Sequence, residues 1–373
     1  MKYIFLLSGD HADLAKEEVI LLFEVESSKL LDRLLVIDLH NKENSIKKLS
    51  KRLALTKNVY RLLFECKINK LIGVMENYDW GSIYKDNFCL RLHNLDNNLK
   101  KIQNKKSATT SVSKGDRGNP FAIFSEKNLA KYIWRSVKNP TVNLENPRTK
   151  IELFLYKNKA YCGLLVFENK EDFESRKSHL RPFPSPSSLH PKLARALVNL
   201  TEIKENEVLL DPFCGAGGFL IEAGLMGIET IGCDINKIMI KGCIENLKHY
   251  KIKNYKIKIK NALDINNNFD YVVTDLPYGL NSNVVSEYHK GNWKLGRINK
   301  KIQKEGFYKN LEQFYLKFLN NLRKKLRKKA VIVFPSYVNY KKLLKSSKFK
   351  IEKEFSNYVH RSLTRKIVLL KNQ

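Results

Sequence analysis

The chain has 373 residues, enough for two or three domains each with its own core. It carries 68 Lys and Arg against 38 Asp and Glu, a net charge of +30 that points to a polyanionic partner, although Lys, Ile and Asn are abundant throughout and bias alone raises the charge. No apolar run approaches the roughly 20 residues of a bilayer span. Met1 to Leu7 lacks the long apolar stretch and cleavage site of a signal peptide. The six cysteines form no C-x-x-C pair, which excludes a zinc knuckle or redox motif and makes a reduced, cytoplasmic protein the expectation.

In chain order, Lys2 to Leu7 reads as a strand, Leu14 to Phe23 as a helix and Leu34 to Leu39 as a strand. Ile46 to Leu53 reads as a helix, Val59 to Cys66 as a strand, Leu71 to Asn77 as a helix and Phe88 to Leu95 as a strand. Short strands alternating with helices suggest small α+β units rather than one large sheet. Lys100 to Asn119 is polar, an exposed loop or a basic contact for phosphates. Glu126 to Val137 places Leu129, Tyr132, Ile133 and Val137 on one helical face, and Ile151–Tyr156 with Tyr161–Phe167 reads as a hairpin.

From Asn169 the character changes. Arg176, Lys177, His179 and Arg181 precede Pro182, Pro184 and Pro186, whose rings hold the chain extended, so 169–190 is the linker. Pro191 suits the first turn of a helix that runs to Leu200.

Val208 to Leu210 is an apolar strand that ends in Asp211-Pro-Phe-Cys-Gly-Ala-Gly-Gly, followed by a helix to Met226 and a second strand, Thr230 to Cys233, ending on Asp234. This is a βαβ unit with a ligand loop at its first strand end. Glycines let backbone N–H groups approach a ligand. The dinucleotide fingerprint fails, because Leu220 stands at its last glycine position and Asp211 would repel a pyrophosphate. A cationic ligand fits better: S-adenosylmethionine carries a sulfonium and an ammonium and no phosphate, and Asp234 can accept hydrogen bonds from its ribose diol.

Tyr271 to Thr274 delivers Asp275-Leu276-Pro277-Tyr278 to the same strand edge. Pro277 stiffens the turn and leaves carbonyls facing outward. A carboxylate, a carbonyl and a flat ring suit an exocyclic amino group on a planar ring system. Asn281, Asn283, Trp293 and Arg297 sit in a polar loop from Gly279 to Gly306, a lid or a plain connection. Leu311, Phe314, Tyr315, Phe318, Leu319, Leu322 and Leu326 form a helical core stripe, with Arg323–Lys325 and Arg327–Lys329 mostly opposite it. Ala330 to Phe334 reads as a buried strand, and Lys348 to Phe355 with Thr364 to Leu370 as an antiparallel pair.

The two motifs together resemble class I amino-methyltransferases. Arg181-Pro182-Phe183 and the segment His190 to Leu200 are similar to the leading helix of archaeal tRNA guanine-10 N2-methyltransferases, as are Phe5 to Gly9 and the helix around Glu17-Glu18-Val19. The resemblance implies an α/β fold: a Rossmann-like class I methyltransferase domain over 191–373, after an N-terminal α+β region with a ferredoxin-like part (1–52) and a THUMP RNA-binding domain (53–168). It implies S-adenosylmethionine held by Asp211, Phe213, Gly215, Gly217, Asp234, Ile235 and Asp264, the last on the adenine amino group. Asp275, Leu276, Pro277 and Tyr278 would be catalytic, with Tyr278 stacked on the purine, and Arg181, Lys192 and Arg195 would contact tRNA. The segment 265–269 is too short for a full crossover helix and departs from the family template. The implied partner is tRNA, met by a monomer away from membranes; a small activator subunit, which serves some relatives, stays open. N2 methylation of guanine-6, methylation of a DNA or protein amino group, and a non-catalytic RNA-binding protein are the alternatives.

Overall fold

The computed structural model describes residues 1–95, 124–186, 188–278, 300–361 and 363–372, with backbone alone over 300–309. The expected basic loop 100–119 lies outside the described residues. So does the polar loop as far as 299, with Asn281, Asn283, Trp293 and Arg297; from Lys300 the chain is already helical.

The chain forms two compact units. The first comprises Met1–Gly9, Val25–Lys51 and Thr56–Asn169; the second comprises Asp10–Glu24, Arg52–Leu55 and Lys170–Gln373. In chain order the first elements are β1 (Lys2–Leu7), α1 (Ala12–Leu22), β2 (Ser28–Leu31), β3 (Leu34–Asp38), α2 (Glu43–Ser50) and β4 (Thr56–Lys67). Then come α3 (Leu71–Asn77), β5 (Phe88–Asn94), α4 (Glu126–Ser136), β6 (Thr149–Tyr156) and β7 (Lys159–Glu168).

The seven strands of the first unit join one sheet in the order β2-β3-β1-β4-β7-β6-β5, where strand spacing suggested several small units. The length of β4 explains the difference. Its 12 residues pair with β1 along one edge over Thr56–Arg61 and with β7 along the other over Asn58–Lys67. On this sheet α4, capped by the Ser125 hydroxyl on the Asn128 N–H, buries Leu129 and Ile133 in a cluster with Met75, Trp80 and Ile151. The short β2 has no fully buried residue, and no apolar alternation announces it.

The second unit contains α5 (Pro191–Leu200), β8 (Val208–Asp211), α6 (Gly218–Leu225), β9 (Glu229–Asp234), α7 (Lys237–His249), β10 (Tyr255–Ile259) and β11 (Phe269–Asp275). It closes with α8 (Lys300–Lys325), β12 (Leu326–Pro335), α9 (Tyr340–Ser346), β13 (Lys350–His360) and β14 (Leu363–Lys371). Its sheet runs β10-β9-β8-β11-β12-β14-β13, parallel from β10 to β12 and antiparallel through β14 and β13. Between β10 and β11 the described crossover is a single 3-10 turn, Ala262–Asp264, as the short 265–269 segment requires.

The stripe Leu311, Phe314, Tyr315, Phe318, Leu319 and Leu322 packs on Val272, Ala330, Ile332 and Phe334 as the core of this unit. One boundary differs from expectation. The helix stops at Lys325, and Arg327, Lys328 and Lys329 lie on β12 rather than on a continuing helical face.

Although α1 follows β1 in the chain, its buried face belongs to the second unit. Glu18 is fully buried and accepts hydrogen bonds from the Ala54 and Leu55 N–H groups, both at 2.8 Å, and from Asn199 Nδ2 at 2.7 Å. Asn199 also donates to the Arg52 carbonyl, which ties 52–55 and α1 to α5. Burial pushes the Glu18 carboxyl above its ordinary range.

A second buried knot fixes the linker. Glu222 on α6 accepts from Arg176 Nε at 2.8 Å and from Arg195 Nε at 2.9 Å, and both guanidiniums lie over the Phe173 ring. Glu171 pairs with the outer nitrogens of both arginines.

Candidate active site at the carboxyl edge of the second sheet

Parallel pairing puts the ends of β8, β9 and β11 on one edge. Leu210 lies opposite Val272 and Asp211 opposite Gly232, so Asp211, Asp234 and Asp275 all terminate strands on the same side. This is the edge where open α/β sheets bind ligands.

Asp211 is buried. Its Oδ1 accepts the Thr274 hydroxyl at 2.8 Å, which joins the glycine-loop strand to the strand of Asp275, and the Phe213 N–H at 3.1 Å. Burial pushes its carboxyl up to about 7, and the nearby Asp234 and Asp275 push the same way. Asp234 spans the loop: Oδ2 accepts from the Gly215 N–H at 3.0 Å and Oδ1 from the Asn236 N–H at 2.8 Å. Burial raises its carboxyl as well.

Gly217 adopts φ +86 as it enters α6, and a Cβ there would sit 2.8 Å from Cys243 Sγ, so both conformation and space require glycine. Asn246 on α7 fixes the loop from behind. It accepts from the Phe183 N–H and donates to the carbonyls of Phe183 and Ala216, all within 2.9–3.0 Å. Phe213 is half-buried, its ring edge-on to Phe318 at 5.0 Å. Ile235 is half-buried beside Asp234, and Asp264 is exposed at the end of its 3-10 turn.

At the other motif, the Tyr278 hydroxyl donates to Asp275 Oδ1 at 2.7 Å and accepts from Arg365 Nε at 3.0 Å. Burial pushes the Asp275 carboxyl up to about 6, while Arg365 and the Tyr278 hydroxyl draw it down. The outward-facing carbonyls expected of Pro277 are not what forms. Tyr315 of the α8 core stripe donates its hydroxyl to the Pro277 carbonyl at 2.6 Å, and Tyr337 donates to that of Tyr278 at 2.7 Å. The Leu276 N–H is bonded to the Val333 carbonyl, which holds Leu276 in ladder geometry beside Asp275. The turn is thus braced by two tyrosines that its own sequence does not announce.

The three residues expected at the RNA surface separate. Arg195 is 2% exposed and committed to Glu222 and Glu171. Arg181 is 3% exposed, donating Nε to the Arg176 carbonyl. Both are interior residues of this fold, because the linker and α5 are locked around Glu222. Lys192 keeps part of its surface. Thr274, Asn246, Tyr315, Tyr337 and Arg365 complete the edge; Thr274, Tyr315 and Arg365 lay on recognised elements, but none of the five was singled out as a site residue.

A family model described as RMKL-like, methyltransferase domain, matches residues 178–290. A tRNA (guanine(10)-N2)-dimethyltransferase of Methanothermobacter thermautotrophicus is 30% identical over 98% of this chain and 98% of its own length. A protein of the same description from Methanocaldococcus jannaschii is 30% identical over 77% of this chain and 85% of its own. Among solved structures, TrmN from Thermus thermophilus aligns over 100% of both chains with a TM-score of 0.51 at 16% identity, a likeness of fold. The full-length identity to the archaeal enzymes, joined to the acid-lined sheet edge, places this chain in the tRNA (guanine(10)-N2)-dimethyltransferase family.

Proposed function

We propose that the protein transfers one or two methyl groups from S-adenosylmethionine to the exocyclic amino group of guanine-10 in tRNA. The observation that carries the reading is the meeting of Asp211, Asp234 and Asp275 with the glycine loop on one sheet edge, in a chain of this family.

The donor set suits such a cofactor. Burial raises the proton affinity of all three carboxylates, Asp234 and Asp275 raise that of Asp211 further, and a cationic ligand beside them relieves this. Asp234, already ordered by two backbone N–H groups, keeps lone pairs for a ribose diol. Phe213, Ile235 and Asp264 border the adenine end in this reading, and Gly215 and Gly217 let the loop backbone approach. When bound, the cofactor supplies an electrophilic methyl group.

The chain's own work is alignment. The guanine amino group is a poor nucleophile because its lone pair is delocalised into the ring. Asp275 and the Leu276 carbonyl accept its two hydrogens, favouring a pyramidal nitrogen with its lone pair directed at the methyl carbon. Asp275 then takes the proton released. Tyr278 presents its ring face to the purine and Pro277 stiffens the turn. A paired guanine must first leave its helix, at roughly a few kcal/mol. Contacts from the first unit, read as the RNA-binding THUMP-like part, offset this. A basin of that unit is lined by Lys2, Lys67 and Lys70, with Lys159 paired to Glu65, and its lysines suit phosphates. Lys192 adds a contact, whereas Arg181 and Arg195, both buried, hold the linker in this reading.

The test uses unmodified tRNA transcripts with guanine or inosine at position 10, since inosine lacks the amino group. Labelled methyl should enter the first and not the second, and nuclease digestion with mass spectrometry should find it on N2. Equal labelling of both, or label at guanine-6, would overturn the assignment. The purified chain should run as a monomer, and assays with and without added cell extract decide whether an activator subunit takes part. No described helix is long and apolar enough to cross a membrane, and the reading places the enzyme in the cytoplasm.

A further inference from the structure

The Asp275 turn carries a contact that the proposed reaction leaves unused. Arg365 lies on β14, opposite Pro335 of β12 and Asn357 of β13, with 11% of its side chain exposed. Its Nε reaches the Tyr278 hydroxyl at 3.0 Å and stands 3.8 Å from Asp275 Oδ2. The hydroxyl in turn donates to Asp275 Oδ1 at 2.7 Å. Guanidinium, phenol and carboxylate therefore form a closed triangle joining β14 to the end of β11.

We infer that Arg365 is a positioning residue for methyl transfer: through the Tyr278 hydroxyl and its own charge it holds Asp275 as an oriented anion and fixes the Tyr278 ring against rotation. The inference rests on the proposed function and deepens it.

Two requirements lead there. A carboxylate that accepts amino hydrogens must be ionised, since a protonated acid presents a donor where an acceptor is needed. Around Asp275, desolvation works against ionisation. Asp211 from β8 is a like charge, and Tyr278 and Tyr315 are phenols held above their ordinary range. Against desolvation stand the Arg365 cation and the hydrogen bond donated by the Tyr278 hydroxyl, which Arg365 itself holds in place. Second, a ring that stacks on a purine must be held at one angle. Tyr278 is held at both ends: its hydroxyl by Arg365 and Asp275, its carbonyl by Tyr337. Oδ1 already accepts from the phenol, so Oδ2, on the Arg365 side, is the less committed oxygen for the substrate.

The variants are Arg365→Gln, Arg365→Lys and Tyr278→Phe. The readouts are kcat and KM across pH from about 5 to about 9 and the titration of the Asp275 carboxyl carbon by NMR in the protein alone. Arg365→Gln should lower kcat on the order of 10- to 100-fold, leave cofactor affinity within about twofold, and move the acid limb and the Asp275 titration upward by about one pH unit. Arg365→Lys should keep the limb near its wild-type position while recovering part of kcat. Tyr278→Phe keeps the ring and β14 intact but loses the bridge, so it should also lower kcat and raise the limb, and it decides the matter if Arg365→Gln fails to fold. An unmoved Asp275 titration in both Arg365→Gln and Tyr278→Phe, or equal loss in Arg365→Gln and Arg365→Lys without a shift, would reduce Arg365 to packing and overturn the inference. A wild-type protein that leaves guanine-10 unmethylated would instead overturn the proposed function, and the NMR titration would still report on Arg365.

Discussion

Asp211 is the residue whose environment makes the sharpest demand. The folded chain holds its proton up to about pH 7 against an ordinary value of 3.8. The folded state therefore binds that proton more tightly than the unfolded chain does. The stabilisation is full below about pH 4 and is lost as pH rises through about 7. Asp211→Asn keeps an acceptor for Thr274 and Phe213 but removes the titration. Its urea midpoint should change less between about pH 5 and about pH 8 than that of the wild type, and its affinity for S-adenosylmethionine should fall. An identical pH dependence in variant and wild type would show that Asp211 does not titrate as its burial requires. The three acids were legible in sequence because each ends an apolar run and stands within two residues of Pro or Asn. Their partners were not: Thr274 lies 63 positions from Asp211, and Arg365 lies 87 from Tyr278. No local pattern records a contact made across a sheet.

At the level of elements, the linker and the first helix behave as parts of the catalytic unit. Glu222 is fully buried between Arg176 and Arg195. Glu222→Gln leaves two buried guanidiniums short of a counter-charge and should cost about 3–5 kcal/mol in urea unfolding. A loss below about 1 kcal/mol would mean that Glu171 and water suffice. Proline and arginine content suggested a linker, yet Arg181, like Arg195 on α5, looked like a phosphate contact, because sequence shows charge and not what faces it. The end of α8 was misread for a related reason. Apolar spacing continues from Leu322 to Leu326 across the change from helix to strand, so periodicity marks no boundary there. Likewise the apolar face of α1 shows in its sequence, but only the buried Glu18 and its partners Ala54, Leu55 and Asn199 show which core it joins.

For the whole molecule, the net charge of +30 sets the encounter with a polyanion. Phosphate contacts release counterions, so tRNA affinity should fall on the order of a hundredfold or more between about 50 and about 200 mM salt, while S-adenosylmethionine affinity should change little. Filter binding and calorimetry over that range check both; a flat tRNA response would assign the charge to composition alone. The central claim is that the sheet edge binds the methyl donor while the Asp275 turn performs the transfer. Paired measurement of calorimetric S-adenosylmethionine binding and methyl incorporation into tRNA for Asp275→Ala tests it most directly. The expected result is cofactor affinity within about threefold of wild type with incorporation reduced at least about a thousandfold. Incorporation near the wild-type level in that variant would contradict the account.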